Sequence, residues 1–244
     1  MSTLLVRLSA PLQSWGADSK FERRGTERVP TKSGVIGMVA AALGRRRDER
    51  MDDLQALRFG VRVDREGQLL RDYHTAKSEK AAYVTQRFYL ADAIFLAGLE
   101  GDEALLMEIE HALCRPAFPL FLGRRSCPPE GRLSLGIRMG KDLVQALAEE
   151  PLLISQWSRR RDSPTSRLRL VVDADEKDVN AYFQRDVALS FSQVHRQFGF
   201  RRVSHIVMPR SSAWKQIVLQ AYLRPNTTPC WNWRDSSCIY PESH

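Results

Sequence analysis

The residues with the greatest chemical capacity stand in one polar stretch: Arg71-Asp72-Tyr73-His74-Thr75, followed by Lys77, Lys80, Tyr83, Arg87 and Tyr89. Two chemistries fit it. Tyrosine and histidine rings can stack on unpaired bases, at about 1–3 kcal/mol per base, while lysine and arginine neutralise phosphates; single-stranded RNA binding needs both. Alternatively, Tyr73, His74 and Lys77 supply the parts of a metal-independent ribonuclease: a base for the 2′-hydroxyl and a cation for the scissile phosphate. Closeness in sequence does not fix mutual geometry, so residue type leaves both readings open.

Three other segments could meet phosphate. In Pro30-Thr31-Lys32-Ser33-Gly34-Val35-Ile36-Gly37 a helix would begin after the proline, and the amides at a helix N-terminus attract anions. Lys32 adds a charge, Ser33 a hydroxyl, and Gly34 removes a side chain that would block close approach; an ordinary capped helix is the simpler reading. In Gly123-Arg124-Arg125-Ser126-Cys127-Pro128-Pro129, two prolines restrict the backbone behind two arginines, whose planar forks suit phosphate. A solvated surface turn fits that segment equally. His195 to Arg210 carries Arg196, Arg201, Arg202 and Arg210 with no acid. On a strand, Arg201 and Arg202 point to opposite faces and cannot do the same job.

Other reaction classes lack their parts. There is no H-E-x-x-H, no H-x-E with a partner C-x-x-C and no dense carboxylate cluster, so no metal is expected. There is no phosphate-binding G-x-x-x-x-G-K-[ST] and no dinucleotide glycine fingerprint, so no cofactor is expected either. Cys114, Cys127, Cys230 and Cys238 lack metal or redox spacing and read as small hydrophobes with reduced thiols.

The elements that must position these groups are legible from pattern. Thr3–Leu8 reads as a strand, 13–30 as a long loop, and Val35–Leu43, apolar on all sides, as a buried helix capped by Thr31 or Ser33 and ended by Gly44. Phe59–Asp64 alternates as a strand, and Glu66-Gly67 supplies a turn. Residues 71–86 lack periodicity, and Phe88–Leu99 reads as a third strand. Asp102 caps a helix over Glu103–Cys114, and Phe118–Leu122 reads as a fourth strand. Strand, helix, strand, strand, helix, strand is the ferredoxin-like split βαβ order. Beyond it, Asp142–Glu149 reads as a helix; Arg167–Val172, Val187–Phe191, Phe200–Met208 and Lys215–Leu223 read as strands; Ser158–Ser166 is a basic loop. The fold expected is α+β: a ferredoxin-like (RRM-like) domain over 1–122, then an arginine-bearing loop and a smaller β-rich region over 123–244.

Bulk composition agrees. The chain has 244 residues, 43% of them hydrophobic, enough for a core. With 37 basic against 29 acidic residues the net charge is +8, a balance that suits a polyanionic partner. The longest uncharged run, 33–44, is twelve residues, against about 20 for a membrane span. A soluble, cytoplasmic protein with no membrane contact is expected.

Four of these segments, in order, match a known family. Pro11-Leu12-Gln13-Ser14-Trp15-Gly16, Pro30-Thr31-Lys32-Ser33-Gly34 with its helix, Leu70-Arg71-Asp72-Tyr73-His74-Thr75 and Leu122-Gly123-Arg124-Arg125-Ser126-Cys127-Pro128 closely resemble the CasD family, subunits of the type I-E CRISPR complex Cascade within the RAMP superfamily. The resemblance covers 1–145 and continues more weakly through 185–191 and 199–203. It implies a non-catalytic, RNA-binding subunit that holds the 5′ handle of the CRISPR RNA and caps the backbone filament. The implied partners are that RNA, the backbone subunit CasC and the large subunit CasA, with target DNA met only through the complex. A thumb between the second and third strands would be Asp72 to Arg87, although the segment between Thr75 and Arg87 is shorter than the family pattern. The implied RNA-binding residues are Lys32, Ser33, Gly34, Tyr73, His74, Arg87, Arg124, Arg125, Ser126, Arg201 and Arg202. Relatives in another CRISPR subtype cut precursor RNA with Tyr, His and Lys chemistry, which keeps Tyr73, His74 and Lys77 as the alternative catalytic set.

Overall fold

The computed structural model describes residues 1–16, 23–77, 82–154, 167–175, 178–191 and 197–209. The strand expected at 215–223, the basic loop at 158–166, Lys80, His195, Arg196, Arg210, Cys230 and Cys238 lie outside them. In chain order the elements are β1 (Ser2–Ser9), β2 (Leu12–Gln13), β3 (Arg23–Arg24), α1 (Lys32–Ala42), α2 (Asp52–Ala56), β4 (Arg58–Arg65), β5 (Gln68–Lys77), β6 (Ala82–Ala91), β7 (Ile94–Gly101), α3 (Glu103–Cys114), β8 (Ser134–Arg138), α4 (Leu143–Glu149), β9 (Arg167–Asp173), β10 (Tyr182–Ser190) and β11 (Gln197–Pro209). The class is mixed α+β.

Among the described residues the main sheet has seven strands in the order β10-β11-β9-β4-β7-β1-β8. α1, with α2, lies in the connection from β1 to β4, and α3 in that from β7 to β8. Strand alternation sorts the side chains onto two faces. Leu4, Val6 and Leu8 of β1, Phe59 and Val61 of β4, and Phe95, Ala97 and Leu99 of β7 form one buried face, shared with Val35, Ile36 and Val39 of α1 and Leu106, Ile109 and Leu113 of α3. Burying a Leu or Phe side chain contributes roughly 1.5–3 kcal/mol, so this layer carries most of the cohesion. α1 needs no polar side because β-strands, α3 and loops surround it.

The opposite face receives α4. A Cβ at Gly60 would lie 3.1 Å from both Leu143 Cδ2 and Leu147 Cδ1, and one at Gly98 2.7 Å from Leu143 Cδ1, so two glycines let the helix lie close to the sheet. Arg62, on that face and fully buried, donates to the carbonyls of Leu147 (2.6 Å), Glu150 (2.5 Å) and Pro151 (3.0 Å) at the C-terminal end of α4. Its charge is balanced by Asp64 at 2.6 Å. A buried cation here satisfies the carbonyls that a helix end leaves without donors.

Four sequence expectations need revision. Phe88–Leu99 is two strands, not one: β6 ends at Ala91, Asp92 adopts φ 57°, and β7 begins at Ile94. Aspartate tolerates that left-handed backbone better than most residues, and an apolar run bridging the turn hides it. Residues 71–86 are not irregular. They belong to the long antiparallel hairpin of β5 and β6, part of a second sheet with β2 and β3. Its strands are wet on both sides over much of their length, so no hydrophobic alternation marks them. Phe118–Leu122 is a loop, and the strand beside β1 is β8. That strand was missed because Gly136 at φ +96° and a register shift opposite Leu5/Val6 interrupt its pattern. α1 begins at Lys32, three residues before the expected Val35, with the Thr31 hydroxyl accepting from the Gly34 amide at 3.3 Å. No described helix is long and apolar enough to cross a membrane.

Candidate nucleic-acid interface

Three sequence segments meet beyond the C-terminal end of β1. The Ser14 amide donates to Leu122 O (3.1 Å), and the Ser14 hydroxyl to Phe88 O on β6 (3.2 Å). Gly123 sits at φ +86° against this turn; a Cβ there would fall 1.6 Å from Ser14 O. Only glycine serves both demands. Trp15, almost fully buried, lays its ring on Gly34, where a Cβ would lie 2.8 Å from Trp15 Cε3. The indole N–H donates to Gln13 Oε1 (3.1 Å), and the Gln13 amide donates to Leu8 O (3.2 Å) and Ala93 O (2.8 Å). The 11–16, 30–34 and 122–128 segments are therefore one packed unit, and Gly34 serves the tryptophan.

On this unit stands an arginine cluster around Tyr89. The Arg124 guanidinium lies 4.7 Å above the Tyr89 ring, and its Nη2 donates to the carbonyls of Arg24 (2.8 Å) and Gly25 (3.2 Å). Burial would raise the Tyr89 phenol; hydrogen bonding with Ser126, Arg124 and Arg87, and the Arg124 charge, outweigh it and hold the phenol below its ordinary value. Arg87 Nε and Arg124 Nη1 are buried without a hydrogen-bond acceptor. Arg125 and Ser126 are exposed beside them. Guanidinium groups short of acceptors, clustered at a loop edge, suit a phosphate oxygen.

The hairpin register decides which of its side chains join this cluster. Asp72 pairs with Arg87, His74 with Thr85 and Leu70 with Tyr89, so His74, Arg87, Tyr89 and Tyr83 share one face. Tyr73 pairs with Gln86 and shares the other face with Arg71, Phe88 and Lys77; Arg71 lies 6.0 Å from the Tyr73 ring and Arg23 5.3 Å from the Phe88 ring. Tyr73 and His74 therefore point to opposite sides of the ribbon. Tyr73 and Tyr83 are about 60% exposed, each on its own face.

Lys32, Ser33 and Arg201 are placed elsewhere, all of them buried. The Lys32 amide, at the start of α1, donates to Asp186 Oδ2 (2.9 Å), and its ammonium bonds Asp173 at 3.0 Å. Arg201 grips Asp186 with two bonds (2.6 and 2.9 Å) and Asp173 with a third (2.6 Å). Burial alone would lower the Arg201 pKa, but Asp186 and Asp173 raise it. The anion position at this helix N-terminus is thus filled by the chain's own carboxylate. Arg202 points away from Arg201, as expected for strand neighbours, and donates to Asp178 O at 2.7 Å. Among the described residues no group of three or more His, Cys, Asp or Glu is placed to hold a metal ion.

The family profile of the CRISPR-associated protein (Cas_Cas5) matches residues 3–204, spanning every motif that builds this site. The chain belongs to the CRISPR-associated Cas5 family. The Cascade subunit CasD of Escherichia coli K12 is 36% identical over 170 residues, covering 60% of this chain and 75% of that protein. A crystal structure of a Cas protein is 41% identical with a TM-score of 0.66, over 85% of this chain and 95% of the other. A chain of a CRISPR RNA-guided surveillance complex is 32% identical with a TM-score of 0.72, over 89% and 98%.

Within this Cas5 chain, sequence reading named Tyr89 among the stackable rings of the polar stretch but gave it no part in an arginine cluster; the fold brings Arg124 and Ser126 to its phenol, beside Arg87 of the same strand. It missed the contribution of the 23–24 segment. Arg23 and Arg24 lie in a segment that reads as loop, yet β3 pairs in parallel with β6 and sets Arg24 beside Arg87. A two-residue strand leaves no periodic signal to find.

Proposed function

We propose that this chain is the CasD-type subunit of a type I-E Cascade complex and that it holds the 5′ handle of the CRISPR RNA without cutting it. The observation that carries this reading is the cluster at Tyr89, where Arg87 and Arg124 keep buried nitrogens without acceptors beside exposed Arg125 and Ser126. A phosphate would supply the missing acceptors. The reading is supported by the β4-β7-β1-β8 part of the sheet, which with α1 and α3 follows the strand order of a ferredoxin-like core, and by the β5–β6 hairpin, which leaves that core between its second and third strands, where the thumb would be. Capping of a CasC filament, contact with CasA, contact with target DNA through the complex and a cytoplasmic site of action belong to the same proposal. The non-catalytic role is supported by the hairpin register, which sets His74 on the face opposite Tyr73 and Lys77 of the alternative catalytic set.

One assay tests this. Purified protein is incubated with labelled repeat RNA in EDTA and resolved on native and denaturing gels. The expected result is a shifted, intact RNA whose binding weakens with salt. His74→Ala and Tyr83→Ala weaken binding more than Tyr73→Ala does, by about 1–3 kcal/mol where a ring stacks on a base. Cleavage that His74→Ala abolishes, or no preference for RNA over heparin, overturns the proposal.

A further inference from the structure

At the other end of β1 the surface changes character. A cleft of about 520 Å³ opens between the starts of β1 and β4 and the junction of β7 with α3, lined by Ser2, Ala56, Arg58, Glu100, Asp102 and Glu103 among others. At about 3.3 Å per residue β1 is roughly 23 Å long, and the cleft lies at its start whereas the turn that carries Ser14 and Trp15 follows its end. Glu100 is 2% exposed. Its Oε2 accepts from the Leu143 amide (3.1 Å) and from Arg58 Nη1 (3.2 Å), but its Oε1 is buried with no donor at all. Arg58 is already committed, to Glu100 and to Asp175 at 2.9 Å. Glu103 and Asp102 add two more carboxylates to the lining, the latter with its Oδ2 already accepting from the Ala104 (3.1 Å) and Leu105 (3.2 Å) amides as the cap of α3.

We propose that this cleft receives an arginine side chain from a neighbouring protein subunit. A buried carboxylate oxygen without a donor is costly, and a charged donor relieves it best. Among the lining side chains three carboxylates stand against one guanidinium, Arg58, a local balance that favours a cation over nucleic acid although the whole chain carries +8. Several carboxylates lining one cleft are best met by a group with several donors in a fixed fork, which a guanidinium has and an ammonium lacks. Ala56, Gly101 and the stem of Met1 leave an apolar wall for the aliphatic part of the arginine. The two ends of the sheet then divide the work: cationic loops for RNA at one, an anionic socket for protein at the other. The socket does not depend on the RNA-handle reading.

The test is a titration of the full chain, amide-labelled for NMR, with N-acetyl-arginine methylamide and, separately, with its neutral isostere N-acetyl-citrulline methylamide. The arginine derivative is expected to shift the Gly101, Asp102 and Glu103 amides saturably, at least tenfold more tightly than the citrulline derivative. Glu100→Gln abolishes the difference. Because Glu100 also anchors Leu143, Glu103→Lys is the second variant; it leaves that anchor in place and is expected to lose binding in a folded protein whose melting temperature falls only slightly, by the loss of one acid from the first turn of α3. Equal binding of the two compounds, shifts confined to other residues, or full binding by Glu103→Lys overturns the proposal. None of these outcomes bears on RNA binding at the Tyr89 cluster.

Discussion

Adjacent arginines do different work at the proposed RNA site. Arg124 ties the 23–25 segment to the hairpin through two carbonyls and a ring, whereas Arg125 is exposed. Arg125→Ala is therefore expected to leave stability within about 0.5 kcal/mol and to flatten the log-affinity against log-salt slope for single-stranded RNA by about 0.7. Arg124→Ala is expected to lower both affinity and melting temperature, and parallel thermal melts and salt titrations separate the two. Tyr89 gives a spectroscopic handle. Its folded pKa is depressed, so whatever ionisation contributes to stability is fully present only above the ordinary phenol value and is lost as pH falls through the folded one. Near neutral pH that contribution is absent. In an ultraviolet phenolate titration of the folded protein, Tyr89→Phe is expected to remove an early-titrating tyrosine; an unchanged titration curve would contradict the arginine cage drawn around this phenol.

At the scale of elements, the N-terminus of α1 is held from a distance. Asp186 on β10 accepts from the Lys32 amide and is gripped by Arg201 on β11, while Asp173 on β9 joins Lys32 to the same arginine. One helix end and three strands are pinned by four charged side chains. Asp186→Asn would leave Arg201 short of a buried counter-charge and deprive the helix of its anion, a change expected to cost about 3–5 kcal/mol in chemical denaturation. Wild-type stability in this variant would mean that the network is incidental. The network also explains why Pro30-Thr31-Lys32-Ser33-Gly34 looks like a phosphate seat in sequence: helix start, lysine and glycine are all present, but they serve an internal carboxylate and a tryptophan.

At the scale of the whole molecule, Trp15 is the hinge between scaffold and site. It touches Gly34 at the start of α1, its amide receives support from Thr26 Oγ1 at 2.8 Å, and its neighbour Ser14 locks the Gly123 turn. Trp15→Ala is expected to cost about 3–5 kcal/mol and to weaken handle binding beyond what the lost stability accounts for, because the arginine loops lose their common support. Urea melts and gel-shift titrations on one preparation measure both. Binding that survives undiminished in the folded fraction would show that the loops hold their shape without the tryptophan.

Much was legible in the residues themselves. The cap and apolar surround of α1, Asp102 before α3, and the alternation of β4 follow from local rules, because backbone propensity and burial act over a few neighbours. The four motifs could be recognised as belonging together, and the opposite faces of Arg201 and Arg202 follow from strand geometry alone. What each motif does was decided by tertiary contact. The hairpin of β5 and β6 carries no hydrophobic period, since long stretches of both its faces meet water, so its register, and with it the separation of Tyr73 from His74, exists only once the strands pair. Lys32 and Arg201 are cations by type but neutralised in fact, because carboxylates more than a hundred residues from the helix start come to lie beside it. Charge can be counted along a chain; whether it is free to meet RNA depends on which acids the fold brings within bonding distance.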